Sequence, residues 1–293
     1  MAGRSPVVAG QFYPADTVEC RDQVNGYLAS AAAAGFEAAS LVAGIMPHAG
    51  WMCSGAVAAQ VAAATGKVAV ETFVIFGAAH RAMRARAAIW RSGLWETPIG
   101  NVPIDEELAE AVLNASPLVT DDDSAHLHEH SIEVEVPFLH AVHPHAYLLP
   151  VLVMPSGPAS QIGRVVAEQA LALGRKVVFL GSTDLTHYGP RYGFTPQGIG
   201  PEALDWAKQV NDRRMINLCL RLGADEVVEE AARHHNACGS GAVAATLSAA
   251  RHLGVKEGML YSHTTSAEVL RDRYGEMDDA VGYAAMVFNS ATV

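Results

Sequence analysis

Thirteen histidines stand in 293 residues, and several follow apolar runs that read as strands. Leu41–Met46 leads into Pro47-His48-Ala49-Gly50, and Thr72–Phe76 leads into Gly77-Ala78-Ala79-His80. Lys176–Leu180 leads into Gly181-Ser182-Thr183-Asp184-Leu185-Thr186-His187. In open α/β sheets ligands bind beyond the carboxyl ends of the strands. Small residues after each run let backbone approach a ligand closely. One histidine so placed is an ordinary loop residue; three at equivalent places point to one site. Imidazole suits Zn, Cu, Fe and Ni, and two histidines with one further ligand leave the open positions of a catalytic centre. His48 and His80 are the expected ligand pair. His187 lies three residues after Asp184, a spacing that puts both on one side of a turn with the carboxylate orienting the imidazole. It reads as a base or as a group behind the ligands, with ligand as the alternative.

Cys238 precedes two glycines and an Ala-rich helical pattern. A thiol at a helix N-terminus has a lowered pKa and makes a metal ligand or nucleophile; the alternative is a small buried hydrophobe. The segment His126-Leu127-His128-Glu129-His130-Ser131-Ile132-Glu133 is dense in polar groups but is not HExxH, so the zincin pattern fails. His126 and His128 are expected in a solvated loop. His130 and Glu133 fall at the start of a helical pattern and are better site candidates. His140, His143 and His145 are expected to decorate that helix's end and the next loop. Cys20 and Cys219 read as core, and Cys53 is close to the His48 loop. Trp95 and Trp206 read as packing residues. Ser182-Thr183-Asp184 with His187 offers a Ser/His/Asp set but lacks a G-x-S-x-G elbow.

These residues need a scaffold. Further strands are expected at Ala87–Trp90, Tyr147–Val153, Gly258–Tyr261 and Gly282–Val287. Helices are expected at Thr17–Ala33, Ser54–Ala64, Asp105–Asn114, Ser131–Val142, Ala159–Leu173, Pro201–Leu222, Ala224–Ala232 and Gly239–Leu253. Continuous apolar strands alternating with helices predict an α/β sandwich around a mostly parallel or mixed sheet. Half the residues are hydrophobic, which supports a sizeable core and excludes a disordered chain. The net charge is −11, from 20 Lys+Arg against 31 Asp+Glu. A nucleic-acid binder needs a basic stripe; the nearest approach is Arg81, Arg84, Arg86 and Arg91, short and broken by alanines. No apolar run spans a bilayer, and Met1 to Pro14 lacks the core of a signal peptide. The four cysteines form no CxxC pair. A cytoplasmic protein is expected, with no nucleic-acid or membrane partner.

An ordered set of motifs resembles the Memo family, named in prokaryotes as protein B of the AmmeMemoRadiSam system. It comprises Ala9 to Pro14, Pro47-His48-Ala49-Gly50-Trp51, Gly77-Ala78-Ala79-His80, Trp95 to Gly100, Glu129-His130-Ser131-Ile132-Glu133, Ser182 to Tyr188, Cys238-Gly239 and Val281 to Ala285. The resemblance implies one domain over residues 1–293 with a three-layer α/β/α fold like that of class III extradiol dioxygenases. Those enzymes hold non-haem Fe(II) with two histidines and a glutamate, and a further histidine acts as acid and base. Carried onto this chain, the resemblance implies His48, His80 and Cys238 as metal ligands, with Asp184, His187 and His130 lining the pocket. Trp51 stands where the family often has Tyr, and Ala78-Ala79 where Pro-Ser is frequent; neither change removes a ligand. A thiolate in place of the carboxylate shifts preference toward Cu(I), Zn or thiolate-tolerant Fe.

The expected activity is that of a dioxygenase-like redox enzyme using Fe(II) or Cu, with Zn as a further option, on a small molecule or O2. The alternatives are a non-enzymatic binding or adaptor protein using the inherited pocket, and a Zn- or Cys-dependent hydrolase. The expected partners are a small-molecule substrate or peptide in the metal pocket, a radical-SAM protein implied by the family name, and further copies in an oligomer.

Overall fold

The computed structural model describes residues 3–34 and 40–290. Its strands are β1 Gly3–Arg4, β2 Leu41–Met46, β3 Thr72–Ala78, β4 Ala87–Ile89, β5 Leu94–Thr97, β6 Gly100–Pro103, β7 Val119–Asp121, β8 Tyr147–Val153, β9 Val177–Ser182, β10 His187–Tyr188, β11 Met259–Thr265 and β12 Ala280–Asn289. Its α-helices are α1 Thr17–Ala33, α2 Trp51–Thr65, α3 Glu106–Ala115, α4 Asp123–His126, α5 Val136–Val142, α6 Ala159–Ala172, α7 Pro201–Trp206, α8 Arg213–Leu220, α9 Val227–His234, α10 Ser240–His252 and α11 Ser266–Tyr274.

The main sheet runs β10-β12-β2-β9-β3-β8-β4-β7, with β11 also paired to β12. β2, β9, β3 and β8 are mutually parallel neighbours. β12 is antiparallel to β2 and β4 to β8, so the sheet is mixed. β1, β5 and β6 make a small separate sheet. The central strands are apolar throughout because both faces are covered. Alternate side chains serve opposite cores. Val74 and Phe76 join the cluster with α6 and α10, whereas Phe73 and Ile75 join the cluster with α1, α2 and α5. The helix–sheet–helix layering expected from the sequence is therefore present. The α6–α10 approach is close enough that a Cβ on Gly163 would lie 1.9 Å from the Ala245 carbonyl oxygen. No described helix is long and apolar enough to cross a membrane.

Two expected helices differ in instructive ways. The helix expected at Ser131–Val142 begins only at Val136, after a turn through Ser131–Glu135. Pro137 falls in the first turn of the shorter helix, where its missing N–H is no loss; in a helix from Ser131 it would be interior and would clash. The helix expected at Pro201–Leu222 is α7 and α8 joined by a π-helical turn, Ala207–Asp212.

Candidate metal centre

Met46 is level with Ser182, and Phe76 with Gly181, in the parallel register. The loops after β2, β9 and β3 thus leave one edge of the sheet side by side, carrying His48, then Asp184 and His187, then His80. His130, just before the Ser131–Glu135 turn, joins them from the side. His48, His80 and His130 each offer a ligating nitrogen, and these atoms all lie within 4.8 Å of one another. The His80 and His130 rings stack at 4.9 Å, and His48 meets both edge-on at 5.2 and 5.4 Å.

The hydrogen bonds assign tautomers. Ser182 Oγ donates to the Ser131 carbonyl at 2.7 Å. It must therefore accept from His48 Nδ1–H, also at 2.7 Å, which leaves His48 Nε2 bare. His80 Nδ1–H reaches the Glu129 carboxylate at 3.0 Å, and the His80 backbone N–H reaches it at 3.1 Å. A carboxylate behind an imidazole fixes its orientation and raises its basicity as a ligand. Glu129 also accepts the backbone N–H groups of His130 and Ser131 at 2.8 Å. Burial alone would raise the Glu129 pKa, but the bond and charge of His80 and the Ser131 N–H hold it well below the usual carboxylate range. For His80, burial works to lower the pKa, and the bond and charge of Glu129 outweigh it, so the net shift is upward. His48 and His130 are pushed down, chiefly by burial; both favour the neutral form that a metal needs.

Cys238 Sγ lies 3.2 Å from His48 Nε2 and accepts the Asp184 backbone N–H at 3.3 Å. Burial raises this thiol's pKa, with the Asp184 charge adding to it. That corrects the lowered pKa expected from a helix N-terminus: α10 begins two residues later, and the thiol sits among buried groups. Gly239 beside it admits no side chain, because a Cβ would lie 2.1 Å from the Ser182 carbonyl oxygen.

Asp184 is buried, and its Oδ1 accepts the His48 backbone N–H at 2.8 Å. Burial raises its pKa despite the nearby His187 and that backbone bond. The expected Asp184–His187 bond is replaced: His187 Nδ1–H donates to the Leu185 carbonyl at 3.1 Å, and its ring meets Tyr192 edge-on. The segment is held from behind, where Asp212 Oδ1 takes the Thr186 N–H at 2.9 Å and Asn211 donates to the Thr186 hydroxyl at 3.1 Å. Ser182 bonds His48 and not His187, so no Ser/His/Asp triad assembles.

Other candidates fall elsewhere. His126 is fully buried, not solvated: Nε2 contacts the Ala88 carbonyl at 3.1 Å, and the ring meets Trp90 and Trp95 edge-on. Burial pushes its pKa down to about 4. His128 and His145 are exposed. His143 contacts the Thr65 carbonyl. Glu133 anchors the N-terminal segment through Arg4 at 2.8 Å, Tyr13 Oη at 2.9 Å and the N–H groups of Val7 and Val8. Arg4 also lies over the Trp95 ring at 4.3 Å. Sequence reasoning missed Arg4, and missed Glu129 and Ser182 as orienting groups. Glu129 stood inside a quoted motif, but nothing in its spacing names its partner.

Two oriented imidazoles, a third beside them and a thiol on their flank form a donor set that suits a transition metal. The fold and this cluster define an α/β protein with a histidine-rich centre at the carboxyl edge of a mixed sheet. The family model described as Memo-like protein matches residues 4–287, and the chain belongs to the Memo family. It is 36% identical to a MEMO1 family protein of Pyrococcus abyssi, over 97% of this chain and 98% of the relative. It is also 36% identical to a MEMO1 family protein of Methanopyrus kandleri, over the same shares. An uncharacterized protein from Escherichia coli K12 shares the fold: TM-score 0.52 at 14% identity, over 84% of this chain and 99% of that one.

Proposed function

We propose that this Memo-family protein is a metal-dependent redox enzyme with a dioxygenase-like centre, binding iron or copper and acting on a small molecule or on O2. The observation that carries this reading is the pair His48 and His80, whose Nδ1 protons are tied to Ser182 and Glu129 while their ligating nitrogens lie within 4.8 Å. In this reading His48 and His80 hold the metal, and Cys238 completes the set as a thiolate. Binding must displace the thiol proton, which makes uptake pH-dependent. His130 lines the open side; it is the alternative third ligand, because its nitrogen already lies with the other two.

Iron or copper, when bound, supplies a Lewis acid and a one-electron couple. His187 is the acid–base group: its Nδ1–H is spent on Leu185, which leaves Nε2 to take or give a proton at the substrate. Asp184 places negative charge beside it and closes the His48 loop through the backbone bond. One domain over residues 1–293, a cytoplasmic location, a peptide or small-molecule ligand and a radical-SAM partner belong to the same reading.

The test is elemental analysis of anaerobically purified protein, wild type beside His48→Ala, Cys238→Ala and His130→Ala. Near-stoichiometric iron or copper, lost in the first two variants and kept in the third, supports the reading. Loss in His130→Ala with retention in Cys238→Ala moves the third ligand to His130. A wild type that takes up neither iron, copper nor zinc on reconstitution ends it. His187→Ala is expected to stop O2 consumption while metal content stays.

A further inference from the structure

The rings of the centre are unequally covered. His48 is 2% exposed, whereas the side chains of His80 and His130 are 34% and 25% exposed. The centre therefore opens to solvent on the His80–His130 side. The chain leaving His80 at this opening is Arg81-Ala82-Met83-Arg84-Ala85-Arg86. Met83 packs on the core and pins the loop, while the three arginines are exposed. None of the three side chains has a hydrogen bond or ion pair among the described residues. By contrast, Arg91, Arg164, Arg175, Arg221, Arg233 and Arg251 each face a carboxylate, and no other run of the described residues gathers three such unpaired arginines within six positions. In a chain of net charge −11 this loop is a local reversal of sign at the mouth of the centre.

The open position of the centre fits an anionic ligand. Glu129 is held by His80 and backbone N–H groups, and Asp184 by the His48 N–H, so neither carboxylate is free to fill that position. Their charges offset that of a bound divalent metal, so the positive charge at the mouth is that of the arginines. A metal held there would take an oxygen donor at its open position, and a guanidinium matches carboxylate and phosphate in a two-pronged geometry.

We infer that the ligand entering this centre is a small anion bearing a carboxylate or phosphate group, drawn in by Arg81, Arg84 and Arg86. The inference rests on the metal-centre reading above. Three arginines are too few to hold a polyanion against the acidic remainder of the chain, so a small molecule is the fitting class.

The experiment is calorimetric titration of the full chain with inorganic phosphate and with succinate, at about 0.15 M salt where the Debye length is about 8 Å, zinc-loaded and zinc-free, with zinc content measured on each sample. The triple variant R81Q/R84Q/R86Q is expected to bind about tenfold or more weakly. R164Q/R221Q/R233Q removes the same charge from elsewhere and is expected to bind within about twofold of wild type, because surface charges beyond a Debye length are screened. Zinc-free protein is expected to bind more weakly than zinc-loaded. The tighter of the two probes tells carboxylate from phosphate. Equal weakening in both triple variants, or no binding of either probe by zinc-loaded wild type, overturns the inference while the metal reading stands. A wild type that takes up neither zinc, iron nor copper yet binds phosphate through the three arginines overturns the metal reading and leaves the anion site standing.

Discussion

Glu133 faces an arginine sealed from solvent, and Glu129, four residues earlier, faces a histidine that is not. Arg4 and Glu133 are 1% and 0% exposed, whereas the His80 ring is 34% exposed. The first pair lies where the N-terminal segment is tied to the body, with every Glu133 contact inside the protein. The second lies at the rim of the centre, where Glu129 fixes which nitrogen of His80 carries the proton. The same carboxylate chemistry thus holds chain in a covered region and tunes a donor in an open one. Charges shut away from water are costly unless fully paired, so the covered pair is sensitive to loss of either partner. The open pair leaves room for exchange with solvent and ligand.

The largest test removes the centre itself. His48→Ala is expected to abolish metal uptake by elemental analysis while the protein stays folded by circular dichroism. Next, Arg4→Met should separate the two regions: it leaves Glu133 buried without its cation and costs about 3–5 kcal/mol, read by urea unfolding, while zinc per folded chain stays near wild type. Zinc loss in that variant would show that the regions are not separable. Glu129→Gln should do the converse, weakening metal affinity about 10–100-fold by competition titration and costing less stability than Arg4→Met.

A pH series sharpens the comparison further. His80 is raised above the ordinary histidine value, so protons compete for its ligating nitrogen from a higher pH than usual. Metal affinity should fall more steeply as pH is lowered through that point, by about a further tenfold per unit beyond the loss to the Cys238 thiol proton, and Glu129→Gln should move that step to lower pH. Glu129 itself is held low. The stability it contributes is present above the ordinary carboxylate range and is lost as pH falls through its folded value. The smallest effect belongs to an exposed pair: breaking Lys208–Glu268, 2.6 Å apart, with Lys208→Ala should cost under about 1 kcal/mol by urea unfolding.

The central strands of the main sheet were legible, whereas the short strands β1, β5, β6, β7 and β10 were not. Leu41–Met46 and Tyr147–Val153 match their expected bounds, because strands covered on both faces are apolar from end to end. His48, His80 and Cys238 were legible as candidates because each follows or precedes a strong element. The place of His130 was not, since it depends on where Pro137 lets a helix begin. Arg4 gave no local signal: its buried hydrogen-bond partners, at His126, Glu129 and Glu133, lie more than 120 residues away. α11 went unread although Thr265 and Glu268 form a capping box, because this surface helix lacks a strong apolar stripe. The tautomers of His48 and His80 are tertiary facts, set by Ser182 and Glu129 from distant segments.

The π-helical turn at Ala207–Asp212 sets where Asn211 and Asp212 point. Such a turn is an α-helix carrying one residue more than its flanks require. Deleting a single residue among positions 207–210 would let α7 run into α8 as one regular helix. It would also swing Asn211 and Asp212 by about 100° relative to the preceding helix, away from Thr186. The wider turn thus gives up a little helical regularity and braces the strand-end loop that carries Asp184 and His187.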